Sequence, residues 1–310
     1  MSYDDHNPSG AAPVRAREQE ASDDAQVQLS LNVADQPASE WPTAPAPSML
    51  LRHTRAAIPD DLRVPWGWRE VTLFAILGLI FAAVVTRGLA EVAVRFFGVN
   101  SNDMFGTAIT TSKSIVVLVS QGILDAGAIL FLYFMLLTRT SQPFWQSIGW
   151  REMRPGEGQI RHSVLQFLAG GAVLALVITF VGGFFNSKET LPIEDLLQAR
   201  VSVLLFSVLG ILVAPVVEET IFRGFLYPVI ARRAGIAAGI AITGILFGLM
   251  HAAQLWGGWG QIALLILVGL VFTWVRARTG TVAASYFVHL GYNGLQLVGY
   301  VIYVISGAHH

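Results

Sequence analysis

The sequence predicts an all-α polytopic membrane protein, a bundle of seven or eight transmembrane helices behind a disordered N-terminal tail. Three observations carry that prediction. Hydrophobic residues make up 54% of the 310 and charged residues only 13%, about half the usual quarter. Mean hydropathy is +0.56. The apolar residues are gathered into segments of about 20, the length a ~30 Å hydrocarbon core demands of a helix.

The tail comes first. Residues 1–65 carry Asp4, Asp5, Glu18, Glu20, Asp23, Asp24, Asp35, Glu40, Asp60 and Asp61 with few apolar residues, and Pro and Ala recur in Trp41-Pro-Thr-Ala-Pro-Ala-Pro. Low hydrophobicity with net acidity cannot support a packed core. The stretch is expected to be an acidic cytoplasmic tail. It lacks a basic region followed by an apolar run, so a cleavable signal peptide is not expected.

Seven segments then qualify as spans: about 70–86, 115–138, 163–185, 201–230, 235–255, 261–276 and 281–306. The last is long enough to break into two. The fourth is too long for a simple span, with Pro215 a candidate kink. Residues 66–190 form the N-terminal transmembrane helices and 191–306 the candidate functional core. Between the first two spans, Arg87, Glu91 and Arg95 fall at i, i+4, i+8, predicting a short amphipathic helix on the membrane surface.

Basic residues predict orientation. With the N-terminus cytoplasmic, Arg52, Arg55, Arg63, Arg69, Arg139, Arg151, Arg154, Arg161, Arg232, Arg233, Arg276 and Arg278 lie inside. Arg87, Arg95, Lys113, Lys188 and Arg200 remain outside. Twelve against five obeys the positive-inside rule. A multi-pass protein of the bacterial cell membrane is expected.

Gly235 and Gly239, and Gly244 and Gly248, are four apart, the small-xxx-small pattern of close helix packing. They predict that the fifth helix is central in the bundle.

Composition excludes some chemistries. There are no cysteines, hence no disulfide, thiolate ligand or thiol nucleophile. Net charge near −1 with no basic stripe gives no nucleic-acid partner.

The chemistry concentrates in Pro215-Val-Val-Glu218-Glu219-Thr-Ile-Phe-Arg223-Gly224. An ionisable side chain at membrane depth costs roughly 2.5–3.5 kcal/mol on insertion scales. Two adjacent carboxylates resist ionising together. Residues four apart share a helix face, so Glu219 faces with Arg223, Phe247 with His251, and His289 with Asn293. Three helices thus each offer one polar face to a common interior. Chemically, a buried glutamate can serve as general base toward water, Arg223 can orient a carboxylate, and His251 can share the water. His289 and Asn293 can donate where an oxyanion develops. Gln121 and Asp125, also four apart, read as interhelical hydrogen bonding. The bland alternative for the whole set is a group of polar pairs that only hold helices together.

At these residues the chain resembles the CPBP family (CAAX protease and bacteriocin-processing, or Abi, proteins), intramembrane proteases similar to type II CAAX prenyl endopeptidases. Glu218-Glu219-Thr-Ile-Phe-Arg223 matches its Glu-Glu-x-x-x-Arg motif, Phe247 to His251 its Phe-x-x-x-His motif, and His289 to Asn293 its His-x-x-x-Asn motif. The resemblance implies a membrane-embedded, glutamate-dependent endopeptidase whose cavity opens on the cytosolic side. It implies Glu218, Glu219, His251, His289 and Asn293 as catalytic, with Arg223 and Phe247 supporting. Substrates would be peptides or proteins, lipid-modified or not, met among membrane lipids. No cofactor is expected; a zinc ion on Glu219, His251 and His289 is the alternative, though no His-Glu-x-x-His is present. The competing functions are a non-catalytic scaffold or immunity protein of the same fold and a proton-coupled transporter, which buried carboxylates also build.

One tension stands in these expectations. Counted from the turn near Arg233 at 1.5 Å per residue, Glu219 and His251 lie ~21 and ~27 Å deep, but His289 only ~13 Å.

Overall fold

The computed structural model describes residues 59–106, 108–153, 164–185, 192–197 and 199–305; of the tail expected at 1–65, residues 1–58 lie outside them. Every regular element among the described residues is helical. Five helices are long and apolar enough to cross a membrane: α1 (Trp68–Phe97), α2 (Thr111–Leu137), α3 (Val164–Gly182), α4 (Arg200–Ala234) and α6 (Trp259–Thr279). Between and after them lie α5 (Ile236–Met250) and α7 (Val282–Ile305). At 15 residues α5 reaches about 22 Å, and the turns from His251 to Gly257 continue it. The outward faces carry large apolar side chains such as Leu79, Leu165 and Phe180, each more than 70% exposed, as lipid contact requires. The chain is an integral membrane helix bundle.

Close backbone approaches fix the helix pairs. On α3, a side chain at Gly171 would overlap the Val288 carbonyl; on α7, one at Gly291 would overlap that of Leu168. These two helices run parallel, and Thr179 on α3 bonds Gln296 on α7 farther along. A Cβ at Gly244 on α5 would lie 2.7 Å from the Leu270 backbone nitrogen on α6. Gly248 sits likewise against Ile266, so α5 and α6 are antiparallel.

Several expectations are corrected. First, α1 does not stop near residue 86. It continues 30 residues to Phe97, absorbing the predicted surface helix, and Glu91 pairs with Arg87 at 2.7 Å and Arg95 at 3.3 Å. Charges at i, i+4 spacing end a hydropathy window without ending a helix. Second, α5 is not central. Gly239, Thr243, Gly244, Phe247 and Gly248 are buried, but Ile242, Ile245, Leu246 and Leu249 are exposed. Its glycines form one packing stripe, and lipid meets the other side. The centre belongs to the second half of α4, where Glu219 through Phe225, apart from Ile221, is buried. Third, α7 runs unbroken.

The irregularity of α4 is confined to two π-helical stretches, Leu209–Val213 and Glu219–Leu226. The first ends where the Ala214 N–H reaches the Leu209 carbonyl, one residue before Pro215. The proline has no N–H to give to the turn before it, and a widened turn absorbs that loss. The second stretch narrows the depth tension at Glu219 and leaves the counts to His251 and His289 unchanged. A π turn uses more residues per turn, so counting back from Arg233 at the α-helical rise exaggerates the depth of Glu219.

Residues 59–65, grouped with the tail on composition, pack against the bundle. A short 3₁₀ turn, Asp60–Leu62, places Asp61 2.7 Å from Arg276, which is 99% buried. Arg232 donates to the Val64 and Trp66 carbonyls, and the Trp66 indole donates to the Phe225 carbonyl at 3.0 Å. Three polar anchors and two buried apolar side chains, Leu62 and Trp66, outweigh the local composition.

Candidate active site

The three polar pairs converge. Glu219 on α4 and His289 on α7 meet at 3.0 Å through Oε1 and Nδ1. Glu219 is fully buried, and the same Oε1 accepts from Arg223 Nη1 at 3.1 Å. Arg223, also fully buried, spends its fork on α6: Nε donates to Thr273 Oγ1 at 3.2 Å and Nη2 to the Gly269 carbonyl at 2.9 Å. Its guanidinium lies 4.4 Å from the centre of the Phe247 ring, with Phe272 and Phe222 at 5.4 and 5.8 Å. Aromatic faces attract a desolvated cation. Phe247 therefore covers the arginine.

Glu218 points elsewhere. Its side chain is partly exposed and lies between two imidazoles, with Oε1 3.6 Å from His251 Nε2 and Oε2 3.7 Å from His289 Nε2. His251 sits at the end of α5 and turns back along it, Nδ1 lying 2.9 Å from the Phe247 carbonyl. A carbonyl only accepts, so Nδ1 carries the proton and Nε2 faces Glu218. The His289 ring lies against Phe272, tilted by 32° with ring centres 4.5 Å apart. Asn293, one turn beyond, donates to the Gly210 carbonyl at 2.7 Å; that carbonyl lies in the first π-helical stretch of α4.

A cavity of about 660 Å³ runs alongside, lined mainly by apolar residues, and within the volume range of ligand sites. Glu218, Phe247, His251, His289 and Asn293 line it; Glu219 and Arg223 do not. It extends to the end of the bundle where the α1–α2, α3–α4 and α5–α6 connections lie, with Ile109, Leu197 and Gln254 in its wall. Ile193 N–H donates to the Gln254 carbonyl there. A larger depression of about 920 Å³ lies at the opposite end, against Asp60, Arg139 and Trp150. None of the seven motif residues lines it.

Gln121 and Asp125 bond each other within α2, Nε2 to Oδ1 at 2.7 Å, rather than joining two helices. Four residues apart, they are already in reach. Gln121 lines the cavity, while Asp125 is buried and its Oδ2 has no partner among the described residues. Thr273, Gly269 and Phe272 escaped the sequence reading. A threonine and a glycine in an apolar helix are common, and nothing in their spacing marks them as an arginine's seat.

The donor set does not form a ready zinc site. Among the described residues no group of three His, Asp or Glu side chains is arranged to hold a metal ion. Glu219 is taken up by Arg223 and His289, and the two Nε2 atoms face different oxygens of Glu218.

Comparison with known proteins matches the same region. Residues 200–295 fit the family model described as type II CAAX prenyl endopeptidase Rce1-like. The chain is 28% identical over 113 residues to a Bacillus subtilis (strain 168) protein named "Putative membrane peptidase YdiL", covering 36% of this chain and 43% of that one. It is 28% identical over 158 residues to an Escherichia coli protein named "Uncharacterized 24.3 kDa protein", covering 48% of this chain and 70% of that one. The chain thus spans less than half the length of the first relative. No solved structure matches. Over residues 200–295, which hold all seven motif residues, this membrane protein resembles the type II CAAX prenyl endopeptidases.

Proposed function

We propose that the protein is a membrane-embedded endopeptidase in which Glu218 activates the attacking water. The observation that carries this reading is the contrast between the two adjacent glutamates. Glu218 faces the cavity between two imidazoles; Glu219 is locked behind it by Arg223 and His289.

Glu218 as a carboxylate and His251 Nε2 as a lone pair are both acceptors, separated by 3.6 Å. A water lodged beside them can donate one hydrogen to each, leaving its oxygen lone pairs free to attack. The water oxygen bonds to the scissile carbonyl carbon as its proton passes to Glu218. The C–N bond then breaks, and the proton held by Glu218 passes to the leaving nitrogen. General base catalysis of this kind contributes typically 10²–10⁴-fold.

Glu219 fixes the His289 ring by accepting from Nδ1, and Arg223 fixes Glu219. His289, when protonated, and the second amide N–H of Asn293 supply donors for the oxyanion. The reading requires no metal. The substrate is a peptide or protein segment, with or without a lipid, reaching the cavity among membrane lipids; no nucleic acid is involved.

Cleavage of a membrane peptide by the purified, reconstituted protein tests the reading. E218Q, E218A and H251A lose cleavage while remaining folded in detergent. Undiminished cleavage in all three sinks it, and a biological role that survives E218Q favours the scaffold.

A further inference from the structure

The expected orientation and the expected cytosolic opening exclude each other in this fold. The cavity runs toward the end of the bundle that holds the α1–α2, α3–α4 and α5–α6 connections. The segment leading into α1, and the α2–α3, α4–α5 and α6–α7 connections, all lie at the other end. If the first end faces the cytosol, the second cannot.

The second end is closed. Trp66, Leu132, Leu136, Ile148, Phe225 and Val229 form one buried cluster there. Leu62, Tyr227 and Ala231 form another, and the Asp61–Arg276 pair ties residues 59–65 in place. The depression outside this plug shares no lining residue with the cavity.

Charge distinguishes the two ends. Among the described residues, Arg63, Arg69, Arg139, Arg151, Arg232, Arg233, Arg276 and Arg278 belong to the closed end. Arg87, Arg95, Lys113 and Arg200 belong to the open end. All but Arg87, which lies ten residues before the end of α1 at Phe97, are within short connections or the helix ends beside them, where lysine and arginine bias sets orientation. Trp256 in the α5–α6 connection and Trp259 at the start of α6, 63% and 62% exposed, sit at this end of the bundle, as interfacial aromatics do.

We propose that the cavity opens on the side of the membrane away from the cytosol, and that its substrate is a polypeptide segment presented there. What happens in the cavity rests on the peptidase reading; which side it opens to does not.

The chain has no cysteine, so single introduced thiols report sidedness without background. W256C at the open end and Q142C at the closed end are treated in intact expressing cells with a membrane-impermeant maleimide. W256C labels at least tenfold more than Q142C, and Q142C catches up only after permeabilisation. Q142C labelling first, or equal labelling of both in intact cells, overturns the proposal. N102C and Q146C, both at exposed positions, repeat the comparison should either first variant misfold. The labelling is repeated in an E218A background, where it is unchanged. Loss of the labelling pattern therefore refutes the sidedness, whereas a correct pattern with no peptide cleavage refutes the peptidase reading. A tethered reporter peptide is cut when anchored on the outer face and spared on the inner one; the reverse also overturns the proposal.

Discussion

Glu219 and His289 stand 70 residues apart in the chain and 3.0 Å apart in the fold, joined in an interior where the glutamate has no exposed surface. The same glutamate oxygen takes the Arg223 guanidinium. One carboxylate therefore couples α4 to α7 directly, and to α6 through the arginine.

The two glutamates fail differently when neutralised. E218Q removes the group facing the cavity and lowers kcat by about 10²–10⁴, with little change in thermal stability. E219Q lowers both, because Arg223 loses its carboxylate. Paired kinetic and thermal-melt measurements on the two variants check the split; equal stability loss in both refutes it.

Arg223→Ala leaves the fully buried Glu219 side chain with one partner fewer. Breaking a buried pair from one side costs about 3–5 kcal/mol. R223K restores the charge but not the three-way fork to Glu219, Thr273 and Gly269, so it recovers only part of the stability. Denaturation in mild detergent measures both.

Thr273→Val preserves shape but takes the acceptor from Arg223 Nε. An unpaired buried donor costs about 1–3 kcal/mol. A cleavage assay separates this from a site effect: stability falls, and activity at a temperature where the variant is folded falls far less than in E218Q.

Gly171→Leu or Gly291→Leu drives a side chain into the opposing backbone of α7 or α3. Overpacking costs typically about 1–3 kcal/mol and displaces backbone. Because α7 carries His289 and Asn293, cleavage falls together with stability. Gly78→Ala, where the added Cβ meets nothing within 4 Å, is neutral in both assays.

Chelation tests the metal-free route. With no three-ligand group among the described residues, treatment with a strong zinc chelator leaves cleavage unchanged. Abolition by chelator and recovery on adding zinc would assign the water to a metal instead.

The sequence reading found what depends on length and on local periodicity. The seven apolar segments could be read from their lengths, and the pairs at Glu219, His251 and His289 from four-residue spacing alone. What it missed depends on the third dimension. Hydropathy stopped α1 at a charged turn that the helix passes through, closing Glu91 against Arg87 and Arg95. Glycine spacing revealed a packing stripe on α5 but not that its other side meets lipid. Thr273 and Gly269 matter only because Arg223 reaches them from another helix. Nor could adjacent Glu218 and Glu219 be told apart, since their sequence surroundings are nearly the same.

That last distinction arises from helical phase. Successive residues on a helix point about 100° apart, and the wide turn of α4 opens at Glu219 itself. Glu218 and Glu219 thus occupy consecutive notches of one dial, one aimed at the cavity and the other at Arg223. The doubled letter is not a spare. Deleting one residue ahead of it would turn both hands together, presenting the anchor to the cavity and swinging the working group to the buried phase of Val217, with both glutamates still present in the protein.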